Sequence, residues 1–331
     1  MKKVFLFQIF ALIIFSTACT RNGGQVAENA EQTALNNKTN QFIYALNSQS
    51  LPIKNNYDTY LSWVDTAKGP TGNESNIRGL GKIPKDTEKC IADLKKASQL
   101  KPKLEKLDKA GSAYITELEK LYPLLEKAGN YYGMENYKND QMALGKEFHT
   151  EFLTHFKLFL AASNVLRKET DILEDEKNQQ QLISLKGLSA KKNDYCRLVL
   201  LISAKKIVKM ANVNDLRKLN FDQFLTELNF FEKNLDEFQK NIYATKYEQT
   251  TDFSALITSA KEYLKEGKDI MTKARFSKAF TEDELKQLKQ GDKYSLDGKS
   301  QGIVGKYNSL ITIAEMTFKN KPYILREESA K

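Results

Sequence analysis

The stretch that decides the fold is "NFDQFLTELNFFEKNLDEFQKNI", residues 220–242. Its large apolar side chains alternate three and four residues apart, and charged or polar residues fill most of the positions between them. That spacing is the a/d pattern of a helix that buries one face. Because phenylalanine is large for a simple two-stranded coiled coil, we expect the face to pack inside an intramolecular bundle. The seam consists of Phe221, Phe224, Leu228, Phe231, Leu235, Phe238 and Ile242.

A second seam of the same spacing runs through "GKEFHTEFLTHFKLFLAASNVL", residues 145–166. Its positions are Gly145, Phe148, Phe152, His155, Phe159, Ala162 and Leu166. No proline occurs between Pro123 and Pro322, which favours uninterrupted helix. The segment "YCRLVLLISAKKIV", residues 195–208, is ambiguous by itself, but its neighbours are helical. The sequence therefore predicts an all-α fold, an elongated bundle of long antiparallel amphipathic helices over residues 41–328, in one or two subdomains.

The N-terminus has the order of a secretory signal peptide, predicted over residues 1–18. Two lysines precede an apolar run, and small residues end it at Ala18. The run is roughly a dozen residues, whereas a helix needs about 20 to cross a bilayer. Cys19 follows directly, and a cysteine in that place resembles the lipobox of bacterial lipoproteins, although Ser16 stands where that motif usually has leucine. We therefore expect Cys19 to be acylated, as with palmitate; the alternative is simple secretion.

Residues 19–40 are polar and hold almost no bulky apolar side chain, so we predict a flexible tether there. The alternative is that the second half of this segment is already the first helix. The predicted location is the bacterial cell envelope, with the protein lipid-anchored. The residue after the cysteine is Thr20 and not an aspartate, which by resemblance to bacterial lipoproteins favours sorting to the outer membrane. In a Gram-negative organism, the resemblance therefore implies an outer-membrane protein that faces the periplasm.

The charge pattern argues against nucleic acid as a partner. The chain carries a net charge of +9, and removing Lys2 and Lys3 with the signal leaves 9 − 2 = +7. Its bases alternate with acids, as in "KASQLKPKLEKLDKAG", residues 96–111, which is typical of solvated helix faces. We therefore expect the positive net charge to provide solubility and a mild attraction to anionic lipid or cell-wall polymer.

Cysteine and histidine usage predicts no metal and no cofactor. Acylation of Cys19 leaves Cys90 and Cys196, which could form one disulfide in an oxidising envelope or be two separate buried apolar residues. The only histidines, His149 and His155, are six residues apart and fall on different faces of a helix. The chain contains no CxxC or HExxH motif, phosphate loop or nucleophile elbow, so we predict no enzymatic activity.

The most unusual stretch is "YYGMENYKNDQMALGKEFH", residues 131–149, which crowds hydrogen-bonding side chains around one turn. A glycine inside a helix costs about 1 kcal/mol relative to alanine, so Gly145 indicates a close backbone approach. One interpretation is a ligand or partner site. The other is a helix-turn-helix corner whose tyrosines pack and whose aspartate caps the next helix. The candidate residues are Tyr131, Tyr132, Tyr137, Asp140, Lys146 and His149.

The same stretch resembles the YiiG-like family of bacterial lipoproteins, in which YY, K-x-Y-x-D-D and G-K-x-x-H follow one another. Further similarity lies in "KTNQFIYALN", in "KLDKAGSAYITELEKLYPLLEKAGNYY" and in "GIVGKYNSLITIAE" near the C-terminus. Asn139 replaces the first of the family's paired acids, which weakens the idea of a two-carboxylate site. The resemblance implies a helical lipoprotein with a domain of unknown function, and it implies no reaction.

Two functions of different classes follow from these observations. The first is a non-catalytic envelope lipoprotein, anchored in the membrane by its N-terminal lipid, that binds an envelope protein or polymer through its helical surfaces. The alternative is a small-ligand-binding or hydrolytic envelope protein. That alternative would use Tyr131, Tyr132, Asp140, Lys146 and His149.

Overall fold

The structure is a computed structural model that describes residues 30–81, 83–189, 192–211, 219–244, 253–275 and 302–317. The predicted signal peptide, Cys19 and the first part of the predicted tether lie outside these ranges. Within them, all regular secondary structure is helical. The all-α prediction is therefore confirmed. In the described part of the chain, no helix is long and apolar enough to cross a membrane.

The helices follow one another along the chain with few long connections. A π-helical turn, Leu46–Ser50, joins the first two helices, and residues 62–86 form the longest described connection. The α-helices are α1 (Ala30–Ala45), α2 (Leu51–Leu61), α3 (Thr87–Gln99), α4 (Glu105–Gly133), α5 (Tyr137–Asp140), α6 (Ala143–Leu185), α7 (Lys192–Ala211), α8 (Phe221–Ala244), α9 (Ser254–Arg275) and α10 (Gly302–Thr317).

The predicted tether is too long, because α1 already begins at Ala30. The alternative interpretation, in which the second half of residues 19–40 is helical, matches the structure. Lys38 shows why this polar segment is ordered. Its ammonium group is buried, pairs with Asp108, and donates hydrogen bonds to the carbonyl oxygens of Leu100 (3.1 Å) and Pro102 (3.2 Å).

Two prolines lie inside helices rather than between them. Pro52 is in the first turn of α2, directly after the π-helical turn, and Pro123 lies within α4. The first turn of a helix tolerates a missing N–H. Proline spacing was therefore an imperfect guide to helix ends in this chain.

The buried apolar residues form two clusters. The N-terminal core is built by α1 to α4 and the first part of α6, from Phe42 to Leu166. The C-terminal core is built by α7 to α10, from Cys196 to Ala314. Between the two clusters in sequence, the later part of α6 contacts α7, and there the buried Lys205 pairs with acidic residues of α6.

The two predicted seams differ in how well they match the buried positions of their helices. On α8, the five central seam positions from Phe224 to Phe238 are buried as predicted. On α6 the strict heptad assignment is partly wrong, since His155 is only half-buried and lies 3.4 Å from a Glu117 oxygen. A straight helix of 3.6 residues per turn drifts about 20° per heptad, so the buried face moves off the predicted positions. The buried residues of α6 are Gly145, Phe148, His149, Phe152, Leu153, Phe156, Phe159, Ser163, Leu166, Thr170 and Glu174.

Cys90 and Cys196 are free buried thiols, so the possible disulfide between them is not present in the structure. Cys90 belongs to the N-terminal core and Cys196 to the C-terminal core. The alternative interpretation, two separate buried apolar residues, matches the structure. Burial raises the pKa of the Cys90 thiol to about 12 and also raises that of Cys196, which keeps both thiols protonated and unreactive.

Candidate functional site

The unusual stretch around residues 131–149 forms a corner where α4 turns back into α6. The end of α2 and the loop of residues 62–86 close the corner from outside. We call this loop the covering loop. We call the polar residues at its centre the tyrosine corner: Tyr60, Tyr131, Tyr132, Asp140 and His149.

Asp140 holds the turn between α4 and α6 in place. Its carboxylate accepts a hydrogen bond from the Tyr131 hydroxyl (2.6 Å) and another from the backbone N–H of Leu144 in the first turn of α6 (3.1 Å). The Tyr131 hydrogen bond is the main cause of a lowered pKa for Asp140, while burial followed by this acceptor raises the pKa of Tyr131. These contacts match the interpretation in which the aspartate caps the next helix.

Two residues in the left-handed conformation, Gln141 and Met142, lead from Asp140 into α6. A non-glycine residue in that conformation is strained by sterics, so the surrounding contacts must hold it. Met142 is fully buried in the N-terminal core. Its burial and the two hydrogen bonds of Asp140 together fix the turn.

Both ring nitrogens of His149 are hydrogen-bonded inside the protein. The Nδ1 atom of the imidazole lies 2.8 Å from the Tyr60 hydroxyl, and the Nε2 atom lies 3.3 Å from the carbonyl oxygen of Thr66. The residue is only 6% exposed. Because a carbonyl oxygen only accepts, the Nε2 nitrogen donates, and in the neutral ring Nδ1 accepts from Tyr60. Burial raises the pKa of Tyr60 to about 12, so its hydroxyl stays a donor.

Tyr132 is the aromatic centre of the corner. Its ring packs at centroid distances of 5.1 Å from Trp63, 4.9 Å from Tyr131 and 5.9 Å from Phe148. Edge-on aromatic contacts of this kind stabilise a core beyond simple area burial. The hydroxyl is buried, and burial followed by its interaction with the Tyr60 hydroxyl raises its pKa.

Glycines allow the elements of the corner to approach one another. A Cβ atom on Gly145 would lie 2.8 Å from the Tyr132 hydroxyl and 3.3 Å from Pro70 of the covering loop. A Cβ atom on Gly69, which has φ +73°, would lie 3.1 Å from the His149 ring. The close backbone approach that the sequence indicated at Gly145 is therefore present, and the covering loop lies directly on His149.

The remaining predicted site residues lie away from the centre. Lys146 is exposed. Tyr137 is half-buried, with its ring centroid 6.5 Å from Tyr131 and 6.2 Å from Tyr132. Sequence reasoning missed Tyr60 and Trp63, which lie far from the motif along the chain. The signal that could have found them is "YDTYLSWVD", which holds the single tryptophan of the chain.

Within the described residues, no group of three or more His, Cys, Asp or Glu side chains could hold a metal ion. The corner itself offers one carboxylate, and that carboxylate is occupied by Tyr131 and a helix N-terminus. The carboxylate and the imidazole of the corner are therefore both engaged by groups of the same chain.

The fold and the corner define an all-α protein with two helical cores and a polar aromatic turn in the first. A family model described as "Protein of unknown function (DUF3829)" matches residues 33–313, so the chain belongs to this family. It is similar to "Uncharacterized protein YiiG" of Escherichia coli (strain K12), with 24% identity over 285 residues, which is 85% of this chain and 78% of that protein. The predicted resemblance is confirmed. No solved structure matches the chain significantly.

Proposed function

We propose that this protein is a lipid-anchored, non-catalytic protein of the bacterial cell envelope that binds a partner protein through the surface of its longest helix. The observation that carries the binding proposal is a line of exposed apolar side chains on α6. Its three members are Leu158 (45% exposed), Val165 (54%) and Ile172 (45%).

The spacing of the line suits a partner helix. Its members are seven residues apart, so successive side chains lie about 10 Å from one another on the same side of α6. The positions beside them include Ala161, which is exposed and small enough to admit a neighbouring helix. An apolar stripe at this interval is what an amphipathic helix uses to bind another. We therefore propose an amphipathic helix of an envelope protein as the occupant.

The tyrosine corner supports the non-catalytic part of the proposal. Its carboxylate and its imidazole, the two groups suited to proton transfer, are both hydrogen-bonded to other groups of the same chain. A general acid or base must reach a substrate proton within hydrogen-bond distance. The covering loop lies over the imidazole and blocks that approach.

Anchoring rests on "FSTAC", residues 15–19, in which the cysteine directly follows small residues after the apolar run. We expect the chain to incorporate labelled palmitate in cells. The Cys19→Ser variant should incorporate none and should keep its signal segment. Normal processing and release of that variant would show ordinary secretion instead.

The binding proposal is tested by site-specific photocrosslinking in cells with the full-length chain. A photoreactive residue at Leu158 should give one dominant adduct. The same residue at Phe230, which is 46% exposed on α8, is the matched control and should not give that adduct. Adding Val165→Glu should abolish the adduct while changing the free energy of unfolding by no more than about 0.5 kcal/mol. An adduct of twice the protein's mass would identify a second copy, and the same adduct from both positions would refute the proposal.

A second function is ligand binding at the tyrosine corner. It is favoured by the buried Trp63 indole N–H, which has no hydrogen-bond partner among the described residues, and by the buried Tyr132 hydroxyl, which interacts with Tyr60. Opening of the covering loop would expose both groups. The informative variant is Tyr132→Phe, because it removes only the hydroxyl and should not destabilise the core. Small molecules that raise the melting temperature of the wild type but not of Tyr132→Phe would establish this function. Equal shifts in both proteins would exclude it.

A further inference from the structure

The turn between α3 and α4 carries a concentrated positive charge. Four exposed lysines lie within nine residues: Lys101, Lys103, Lys106 and Lys109. Two carboxylates interrupt them. Asp108 is engaged by the buried Lys38, so that pair cancels, and only Glu105 opposes the four lysines, which leaves 4 − 1 = +3. We call these four lysines and Leu100 the basic turn.

The ammonium groups of the basic turn are available to a partner. Among the described residues, none of the four lysines forms an ion pair, and Lys103 donates one hydrogen bond to the carbonyl oxygen of Ser98 (2.9 Å). The lysines just before the turn differ, because Lys95 pairs with Glu119 and Lys96 with Asp93. Lysines without an ion pair are therefore concentrated in the turn and the first turns of α4.

An exposed apolar side chain stands among these lysines. Leu100, at the start of the turn, is 41% exposed. An apolar group flanked by lysines suits a membrane surface, because the apolar group enters the boundary of the acyl region while the ammonium groups contact headgroup phosphates. A soluble anionic polymer would offer the lysines a partner but would offer Leu100 none.

The basic turn also lies beside the first described helix, which follows the predicted anchor along the chain. The contacts of Lys38 with Leu100, Pro102 and Asp108 fix the turn beside α1, eight residues or about 12 Å from the start of that helix. Cys19 lies eleven residues before Ala30, a span of at most about 40 Å. The opposite end of α4, at Gly133, lies a further 42 Å or so along that helix.

We infer that the basic turn binds the anionic headgroups of the bilayer in which the acylated Cys19 is held. The inference rests on the proposed anchoring and specifies how the folded part meets the membrane. Each lysine close to an anionic surface strengthens binding about fivefold. Electrostatic attraction of a basic surface to anionic lipid adds to the attachment that buried acyl chains provide. The turn then holds the N-terminal core against the bilayer.

The test uses the acylated full-length protein with a polarity-sensitive fluorophore on Leu100→Cys. Labelling is selective because Cys90 and Cys196 are buried and Cys19 is acylated. The vesicles are phosphatidylcholine alone or phosphatidylcholine mixed with phosphatidylglycerol. We expect the emission to shift to shorter wavelength only with phosphatidylglycerol, and the shift to disappear when the four lysines are replaced by glutamine. A fluorophore on Met134→Cys, which is exposed at the far end of α4, is the control and should not respond.

Vesicle flotation separates the two proposals. A protein that floats with both kinds of vesicle but shows no shift at residue 100 is anchored without using the basic turn, and the inference is then wrong. A protein that floats with neither refutes the anchoring itself. Equal shifts with both kinds of vesicle would mean that Leu100 inserts without help from charge. Lysine-dependent binding of soluble polyglutamate, with no shift on vesicles, would identify a polymer as the partner and also overturn the inference.

Discussion

The N-terminal core and the C-terminal core are both helical, but they close in different ways. The C-terminal core packs the regular seam of α8 against α7 and α9, and α10 packs on α9 and α7. Its buried Tyr263 donates a hydrogen bond to the carbonyl oxygen of Ala204 (2.8 Å). The N-terminal core closes around the tyrosine corner, with a carboxylate, an imidazole and a covering loop of 25 residues (62–86).

The difference follows from what each core must enclose. Helices that pack side by side can bury a continuous apolar face, and the buried positions of the α8 seam are all apolar. A turn between two long antiparallel helices leaves backbone groups at both helix ends, and these need partners. Asp140 supplies one partner, and the covering loop packs against His149 and Gly145. The lesson is that a crowded polar motif in a helical protein can serve to close a core.

The largest effects should come from cavities in the two cores. Phe152→Ala in the N-terminal core and Phe231→Ala in the C-terminal core should each cost about 3–5 kcal/mol of unfolding free energy. Trp63 is the only tryptophan, and it packs on Tyr60 (5.2 Å) and Tyr132 (5.1 Å), so its fluorescence reports on the N-terminal core. In urea unfolding, only Phe152→Ala should move the fluorescence transition. If Phe231→Ala moves it equally, the two cores unfold as one unit.

The contact between α6 and α7 gives the next effect. The Lys205 ammonium group is buried and pairs with Asp171 (2.8 Å), Glu174 (3.3 Å) and Asp175 (2.9 Å). Lys205→Met would leave buried carboxylates without their cation, so it should cost about 3 kcal/mol. Lys209→Met is the matched control, since Lys209 also pairs with Asp171 but is half-exposed, and it should cost less than 1 kcal/mol or so. Urea unfolding measures both, and equal costs would contradict the role of burial.

Acid should weaken this same contact. Burial alone would raise the pKa of Asp171, but the ion pairs with Lys205 and Lys209 outweigh burial and lower it below its ordinary 3.8. The stabilisation from Asp171 is therefore complete above that ordinary value and is lost as the pH falls through the lowered folded pKa. Unfolding free energies at neutral pH and near pH 3 should differ less for Asp171→Asn than for the wild type. An equal difference in both proteins would assign the acid sensitivity to other groups.

Sequence reasoning succeeded where the structure is periodic. The α8 seam could be predicted because a repeated apolar spacing has one physical cause, a buried helix face. The α6 seam was predicted less well, because strict heptads hold only for supercoiled helices, and His155 falls off the buried face as a result.

The corner was beyond sequence reasoning for a different reason. The motif marked the right turn, but the partners of His149 are the Tyr60 hydroxyl and the Thr66 carbonyl oxygen, both more than 80 residues away. One of these partners is a backbone atom, which no residue pattern can indicate. The same holds for Lys38 in α1, since its partners, the carbonyl oxygens of Leu100 and Pro102 and the carboxylate of Asp108, lie more than 60 residues away along the chain.

The close approach at the corner can be tested with two glycines. Alanine is preferred to glycine inside a helix by about 1 kcal/mol, so Gly129→Ala on α4, where a Cβ atom would meet nothing within 4 Å, should stabilise the protein. Gly145→Ala should instead destabilise it by about 1–2 kcal/mol, because its Cβ atom would lie 2.8 Å from the Tyr132 hydroxyl. Thermal unfolding gives the sign of each change. A stabilising Gly145→Ala would show that the corner is loosely packed.

The smallest effect isolates the hydrogen bond that ties the end of α4 to the start of α6. Tyr131→Phe removes the hydroxyl that donates to Asp140 and should cost about 1 kcal/mol, since a charge-assisted bond in a buried place is worth more than an exposed one. Tyr122→Phe is matched in chemistry: its hydroxyl donates to Glu126 (2.8 Å) on the surface of α4, and its loss should cost no more than about 0.5 kcal/mol. Chemical unfolding followed by Trp63 fluorescence compares the two variants. Equal costs would mean that the tyrosine corner contributes no more than any surface contact, and the distinction between the two cores would then rest on aromatic packing alone.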